Sequence, residues 1–501
     1  MTTPPAPESS GTPAPRTARG GLAVAVLSLS GILVALLQTL MVPVLPSFAV
    51  DLGIPATSAS WLVTITLLTG AVGTPLIGRL ADMFGKRTML LVCLALMVAG
   101  SVVAILGSGF AAAVVGRGLQ GFAVALMPVG ISMMRDILPV EKLGTGVALM
   151  SATIGIGSVF GAPLAGVLYD HLGWRSLFWV PAAGAILMAV LLPLVVPESA
   201  TRSGGRFDYA GAVLFTTALT AILLAISKGG AWGWSSPAVI ALALVGILGL
   251  ASWIPLQLKT SEPLVDLRTS VRRPVLVANT CALLLGFAMF LSSYASLQEL
   301  QVPAATGFGL GLSATLAGMV MLPGGVAMIV LAPVTAAMIR RWGARVTLVI
   351  AAGVMAVGFA ERGVLGSTVL TVGISAFVIS IGVAFALAAM PVLITTSVPL
   401  DQTASANSVN SLVRAVGTST ASAVGAAVVA ASTVTVGAAV VPAQTGLDRL
   451  FWLGTAVSAV ALIVVGCIPL VAGKQENSGN TNAGGGHDVR GATGVDVTEP
   501  A

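Results

Sequence analysis

Charge is what this chain has least of: 24 Lys and Arg plus 18 Asp and Glu in 501 residues, or 8%. A soluble domain carries about 25%, and so thin a supply cannot cover a water-facing surface of this size. The same scarcity excludes disorder, which combines low hydrophobicity with many charges. Cysteine is equally rare. Cys93, Cys281 and Cys467 each lie in a long apolar stretch, which fits neither a disulfide framework nor the paired spacing of a metal site, so free buried thiols are expected. His171 and His487 are the only histidines, and no metal or other cofactor is expected. No G-x-x-x-x-G-K-[ST] phosphate loop occurs, and no soluble segment is long enough to bind ATP.

What the chain does have is apolar length. Apolar types make up 56% of it and the mean hydropathy is +1.01, the composition of an all-α polytopic membrane protein. Fourteen spans are predicted. They fall near 22–42, 58–78, 88–107, 111–134, 143–168, 174–196, 208–227, 237–257, 274–299, 312–338, 346–364, 369–397, 403–434 and 450–472. The first run is a full bilayer long with no small-residue cleavage pattern after it, so an uncleaved helix is expected rather than a signal peptide. Residues 1–21, rich in Pro, Ser, Thr and Ala, and residues 473–501, rich in Gly and Asn, read as disordered tails.

The net charge of +6 invites a nucleic-acid reading, which the placement of the positives removes. With the N-terminus in the cytoplasm, the inner set is Arg16, Arg19, Arg79, Lys86, Arg87, Arg135, Lys142, Arg202, Arg206, Lys259, Arg268, Arg272, Arg273, Arg340, Arg341, Arg345, Lys474 and Arg490. The outer set is Arg175, Lys228, Arg362 and Arg449, and only Arg117 and Arg414 fall within spans. This asymmetry is the positive-inside pattern for fourteen helices with both termini cytoplasmic.

The segment Gly78–Arg87 (GRLADMFGKR) aligns with Ala336–Arg345 (AAMIRRWGAR) at an offset of 258 residues, and the flanking spans align at the same offset. Two six-helix bundles are therefore expected at 22–197 and 274–472, with a linker at 198–273 carrying two inserted helices. Parallel halves of this kind place a substrate site near the membrane midplane, between them.

Four motifs then carry a resemblance. Gly78, Asp82, Gly85, Lys86 and Arg87 stand in a G-x-L-a-D-r-x-G-r-k loop, and Asp82 is suited to capping a neighbouring helix N-terminus. Arg117, Gln120 and Gly121 form R-x-x-Q-G inside a span, where an unpaired guanidinium is costly. Gly157, Gly161, Pro163 and Gly166 approximate g-x-x-x-G-P-x-x-G-G, with Pro163 one position late and Ala165 in place of a glycine. Trp174-Arg175-Ser176-Leu177-Phe178 opens span six as W-R-x-x-F. Together these resemble the major facilitator superfamily, in its fourteen-spanner branch of drug:proton antiporters, over roughly residues 20–472. The resemblance implies the major facilitator fold and a proton-coupled exporter of drugs, antibiotics or other amphiphiles. It also implies a conformational latch at the Asp82 loop, proton coupling at Arg117 and an antiporter motif at Gly157–Gly166. The energy source would be the proton gradient, and the site a monomer in the plasma membrane. A helix-end arginine reaching an interface is the competing reading of Arg117, and generic close helix packing that of the glycine motif.

The chain departs from those relatives in its acids. Leu37–Pro46 (LQTLMVPVLP) stands where many carry an aspartate, and every carboxylate falls in a loop, a tail or a helix end. Glu299, near an outer end, is the best-placed acid for proton uptake. Gln38, Trp61, Phe287, Phe290 and Tyr294, with Asn407, Asn410 and Arg414 on one helical face, are the expected cavity residues. Arginines without a mid-membrane acid favour a neutral or anionic cargo. An importer or facilitator is the alternative, and a membrane enzyme or sensor a remote one: no nucleophile, base and oxyanion cluster is found, and no output domain.

Overall fold

Long apolar runs fold as helices because lipid offers no partner for backbone N–H and C=O groups. The structure, a computed structural model, describes residues 16–41, 44, 48, 51, 54, 56–59, 61–199, 202, 203, 205–436 and 439–467. The long helices are α1 (Arg16–Thr39), α2 (Trp61–Phe84), α3 (Lys86–Leu106), α4 (Gly109–Gly121), α5 (Leu126–Ile137), α6 (Val140–Leu172), α7 (Ser176–Val195) and α8 (Tyr209–Trp232). They continue as α9 (Pro237–Lys259), α10 (Arg273–Gln301), α11 (Ala314–Val330), α12 (Ala332–Leu365), α13 (Val369–Thr395), α14 (Thr403–Ala430) and α15 (Gln444–Cys467). A 3-10 turn at Phe122–Ala125 joins α4 to α5 into one crossing. Local signals set the boundaries. At α9, for example, the Ser236 side chain accepts from Val239 N–H and Pro237 occupies the first turn.

Among the described residues, thirteen helices are long and apolar enough to cross a membrane, and Leu316–Val330 is a shorter apolar helix. The 34-residue α12 is not one rod: Gly343 breaks it with φ 81° and ψ 164°. α11 and the part of α12 before Gly343 therefore make one crossing, and the rest of α12 makes another, which restores fourteen. Gly85, at the repeat offset from Gly343, has φ 109° and separates α2 from α3. A side chain with a Cβ rarely adopts such angles. The two copies of the loop thus turn at equivalent residues.

Several boundaries differ from the expectation. Residues 16–21, expected in a disordered tail, are already helical. The thirteenth span stops at Ala430 rather than 434, and the chain then forms a hairpin of β1 (Thr433–Val436) and β2 (Ala439–Pro442), antiparallel with Val434 opposite Val441. The last helix starts at Gln444, so Arg449 is helical rather than in an outer loop, and its Nη1 donates to Ser432 Oγ at 3.0 Å. Residues 1–15 and 468–501, with Lys474 and Arg490, and Val42, Pro43, Leu45 and Pro46 lie outside the described residues.

The inserted pair α8–α9 settles against a helix from each half. Ala71 and Val72 of α2, Phe215, Leu219 and Leu223 of α8, Trp253 of α9 and Leu412 of α14 share one buried apolar cluster. α9 forms its outer layer and shows Leu244, Val245, Ile247 and Leu248 on its exposed side. Trp253 Nε1 donates to Gly211 O at 3.0 Å, and Gln257 Nε2 to Asp208 Oδ2 at 2.6 Å, tying α9 to α8. Trp61 packs here too, with the Lys228 ammonium 4.4 Å from its ring centre.

Candidate functional site

At the Gly85 end, the two halves are joined through a helix terminus. Asp82, in the last turn of α2, is 1% exposed, and its carboxylate accepts backbone N–H groups of Ala404 (3.1 Å) and Ser405 (2.8 Å). These are orphan donors of the first turn of α14, where the helix dipole also favours an anion. The carboxylate performs an N-cap from outside the capped helix. Gly78, one turn earlier, makes the approach possible: a Cβ there would sit 2.2 Å from Ser408 Oγ and 3.0 Å from Ala404 O.

The remaining motif residues surround this contact. Buried Lys86 donates to both oxygens of Asp136 (2.8 and 2.9 Å) and to Leu400 O (3.3 Å). Ser199 Oγ donates to the same carboxylate at 2.6 Å. Arg87 reaches Val196 O at 3.3 Å and Glu198 at 4.0 Å, so it braces its own half. Further cross-half bonds run from Arg135 to Val398 O (2.7 Å), between the Ser132 and Thr403 hydroxyls, from Ser151 to Leu387 O (3.1 Å), and from Arg340 to Thr145 Oγ1 (2.9 Å). Arg340 stands at the repeat position of Asp82. Being a cation, it bonds a hydroxyl of α6 and cannot cap it, so the anionic cap exists in one copy only.

Arg117 is 3% exposed and points into the N-terminal half. Its Nε donates to Leu62 O (3.2 Å), and its Nη1 to Leu37 O (3.2 Å) and Gln120 Oε1 (3.1 Å). Gln120 in turn donates to Ser101 Oγ at 2.8 Å. This arginine staples α1 and α2 to α4, and the interfacial reading is set aside. Gly121 lets α4 meet α2, since a Cβ there would lie 2.6 Å from Thr66 O.

In α6, Gly157 and Gly161 admit α1: added Cβ atoms would lie 2.4 Å from Ala35 Cβ and 2.0 Å from Thr39 Oγ1. Thr39 Oγ1 donates to Gly157 O at 3.0 Å. Pro163 is exposed, and a Cβ at Gly166 would meet nothing within 4 Å, so the motif's second half makes no such contact. The sequence reading passed over Gly155, whose Cβ would lie 2.7 Å from Gly325 O of α11, across the halves.

Two adjoining voids lie between helices of the bundle, with volumes of about 10 and 30 Å³, the scale of single waters, so a larger occupant requires the helices to part. The larger is bounded by α5 and α6 on one side (Met127, Ile131, Ile154) and by α13 and α14 on the other (Met390, Asn410, Arg414). The smaller extends into the C-terminal half past Gly286, Met289 and Met355, and Arg414 borders both. Arg414 is ten residues beyond Ala404, about 15 Å along the axis, which puts it deep in the membrane. Of the expected cavity residues, only Asn410 and Arg414 line these voids. Asn407 turns instead to Thr395 Oγ1 and Thr403 O, each at 2.9 Å. Trp61 belongs to the α8 contact, Phe290 stacks on Tyr294 with centroids 6.1 Å apart, and Tyr294 packs against Gly425. Gln38 and Phe287 are half-buried and line neither void.

Glu299 and Arg362, both expected as outer charges, are buried against each other. Each side chain is 2% exposed, and they form an ion pair, with Arg362 Nε donating to Glu299 Oε2 at 2.9 Å. Arg362 also donates to Gly366 O (2.9 Å) and Ser367 Oγ (2.7 Å) and lies 5.0 Å from the Phe451 ring centre. A buried acid near a membrane end does exist, already paired.

Comparisons place this architecture. The model of the Major Facilitator Superfamily matches residues 27–422. The chain is 27% identical over 412 residues to the multidrug resistance protein Stp of Mycobacterium tuberculosis, covering 80% of this chain and 74% of that protein. It is 30% identical over 330 residues to the tetracenomycin C resistance and export protein of Streptomyces glaucescens, covering 64% and 59%. The chain thus spans between 59% and 74% of the length of these two relatives. The crystal structure of the human organic anion transporter MFSD10 (TETRAN) superposes with a TM-score of 0.62 at 16% identity, over 89% of this chain and 99% of that one, a likeness of fold. Fourteen crossings, a repeated Gly-turn loop, a void between halves and a family match across most of the chain lead to one conclusion: the protein belongs to the major facilitator superfamily.

Proposed function

We propose that the protein is a secondary active exporter that moves small amphiphilic molecules out of the cell by alternating access, driven by the proton gradient. The observation that carries this reading is the void around Arg414, bounded by both halves and shut at the Asp82 end by the cap on α14. Halves that part at that end expose the void to the side of the membrane that the Asp82 end faces, as alternating access requires. Relatives named for multidrug resistance and antibiotic export support the outward direction. In this reading the protein works as a monomer in the plasma membrane, with both termini cytoplasmic and the Asp82 end facing inward. Transport rather than catalysis is its task. The cargo is neutral or anionic, because residues lining the voids include an arginine and no carboxylate.

Coupling needs a protonation event that biases the two conformations differently. Glu299 is the proposed acid, supported by its burial with Arg362, and Arg117 with Gln120 and Gly121 is the proposed relay in the N-terminal half. Everted vesicles energised with an imposed proton gradient test the whole reading. Accumulation of an antibiotic or dye inside them, abolished by a protonophore, is expected. Movement down the cargo gradient alone, or the reverse direction, identifies a facilitator or importer instead.

A further inference from the structure

The guanidinium of Arg414 is the one strongly charged group on the void between the halves. Among the described residues it makes no hydrogen bond or ion pair, whereas Arg117 makes three hydrogen bonds and Arg362 is hydrogen-bonded and ion-paired. An arginine stays charged in a protein, and leaving that charge unpaired in a low-dielectric interior is costly. The site is nonetheless built to hold it. Gly286 of α10 clears the stem: a Cβ there would lie 2.9 Å from Arg414 Cγ and 2.7 Å from Arg414 O. Asn410, one turn earlier, is fixed by Nδ2 donating to Ala278 O and Asn279 Oδ1, each at 3.1 Å, so it does not fold back onto the arginine. Around the guanidinium the walls are apolar and adaptable, with Met289, Met355 and Met390 beside it.

We propose that Arg414 is the anion-binding residue of the cavity, taking a carboxylate, sulfonate or phenolate of the cargo while the cargo's apolar body rests on the methionines. A planar guanidinium fork matches a carboxylate with two parallel hydrogen bonds, which a neutral group cannot reproduce. This deepens the transport reading and rests on it for the identification of the occupant as cargo. The bound anion supplies the missing counter-charge, so the occupied site is electrically neutral and the empty one is not.

Equilibrium binding to the full chain in nanodiscs tests this without requiring transport. Three probes share one ring and differ in charge: naphthylacetate, naphthylethanol and naphthylmethyl-trimethylammonium. Wild-type protein is expected to prefer the acetate over the alcohol by about tenfold or more, the scale of a charge-assisted hydrogen bond. Arg414→Gln erases that preference, bringing the acetate-to-alcohol affinity ratio down to about one, while Arg414→Lys keeps part of it. Competition on the wild type guards against a misfolded variant: naphthalenesulfonate displaces naphthylacetate, and the trimethylammonium probe does not. The proposal is overturned if the cation binds best, if the sulfonate fails to compete, or if a folded Arg414→Gln protein holds the acetate as tightly as the wild type. Anion binding as described, without flux in vesicles, sinks the transport reading instead.

Discussion

The carboxylate of Asp82 accepts the backbone N–H of Ser405 at 2.8 Å across 323 residues of chain, so a side chain of one half terminates a helix of the other. Opening at this end must uncap α14, and the strength of the cap weights one conformation. Asp82→Asn removes the charge and leaves a single acceptor oxygen, a loss of about 1–3 kcal/mol. The closed-to-open ratio falls by about fivefold to 150-fold, and transport is lost while membrane expression persists. Spin-label distances between the ends of α2 and α14, taken alongside flux, check both. Full transport by this variant rejects the latch.

Gly78 tests the same contact by bulk rather than charge. Gly78→Ala drives a methyl into Ser408 and holds α2 off α14. Among the described residues Ser408 Oγ has no hydrogen-bond partner, so removing it leaves nothing there unsatisfied. Gly78→Ala is expected to impair transport at least severalfold, and Ser408→Gly in the same chain to restore most of it. Additive rather than compensating effects count against a direct steric contact.

Arg117 holds Leu37 O and Leu62 O on two other helices. Arg117→Ala removes the arginine's bonds to the Leu37 carbonyl and Gln120 Oε1, at about 1–3 kcal/mol for each group left unsatisfied, while Leu62 O keeps the Thr66 hydroxyl as a donor at 2.9 Å. The expected results are a clear drop in the melting temperature of purified protein and loss of proton-dependent flux. Lysine has no fork to span both acceptors and rescues partially at most. An unchanged melt together with normal pH-dependent flux removes Arg117 from both roles.

The Glu299–Arg362 pair separates stability from coupling. Glu299→Gln alone leaves the buried Arg362 with Asp448 as its remaining charge neighbour and destabilises the protein, whereas neutralising both partners with Arg362→Met as well is milder. If Glu299 carries the proton, the double variant folds and loses the pH dependence of flux. Preserved pH dependence in that variant reduces the pair to a brace for the loop at Gly366 and Ser367.

The sequence shows some of this site and conceals the rest, for physical reasons. Repetition and turn chemistry are local, so Gly85 and Gly343 mark equivalent breaks before any coordinates exist. Asp82 is legible because an acid in a tight loop has few uses other than a cap. Glu299 and Arg362 are not, because each stands near a helix end where a solvated charge looks the same, and their pairing depends on how α10 meets α12. Aromatic residues mislead for a related reason. Periodicity places Phe290 and Tyr294 on one face, but a face toward α14 and a face toward the void have the same composition. Arg414 stands out in either case, since a cation deep in a span demands an explanation.

The apolar cluster that α8 shares with Leu412 and Val72 makes the bundle one-sided. Molecules dissolved in the bilayer meet α8 and α9 on the α2–α14 flank, whereas the α6–α11 flank presents the line where the two halves meet. The inserted pair gives a pseudo-symmetric carrier a front and a back within the plane of the membrane.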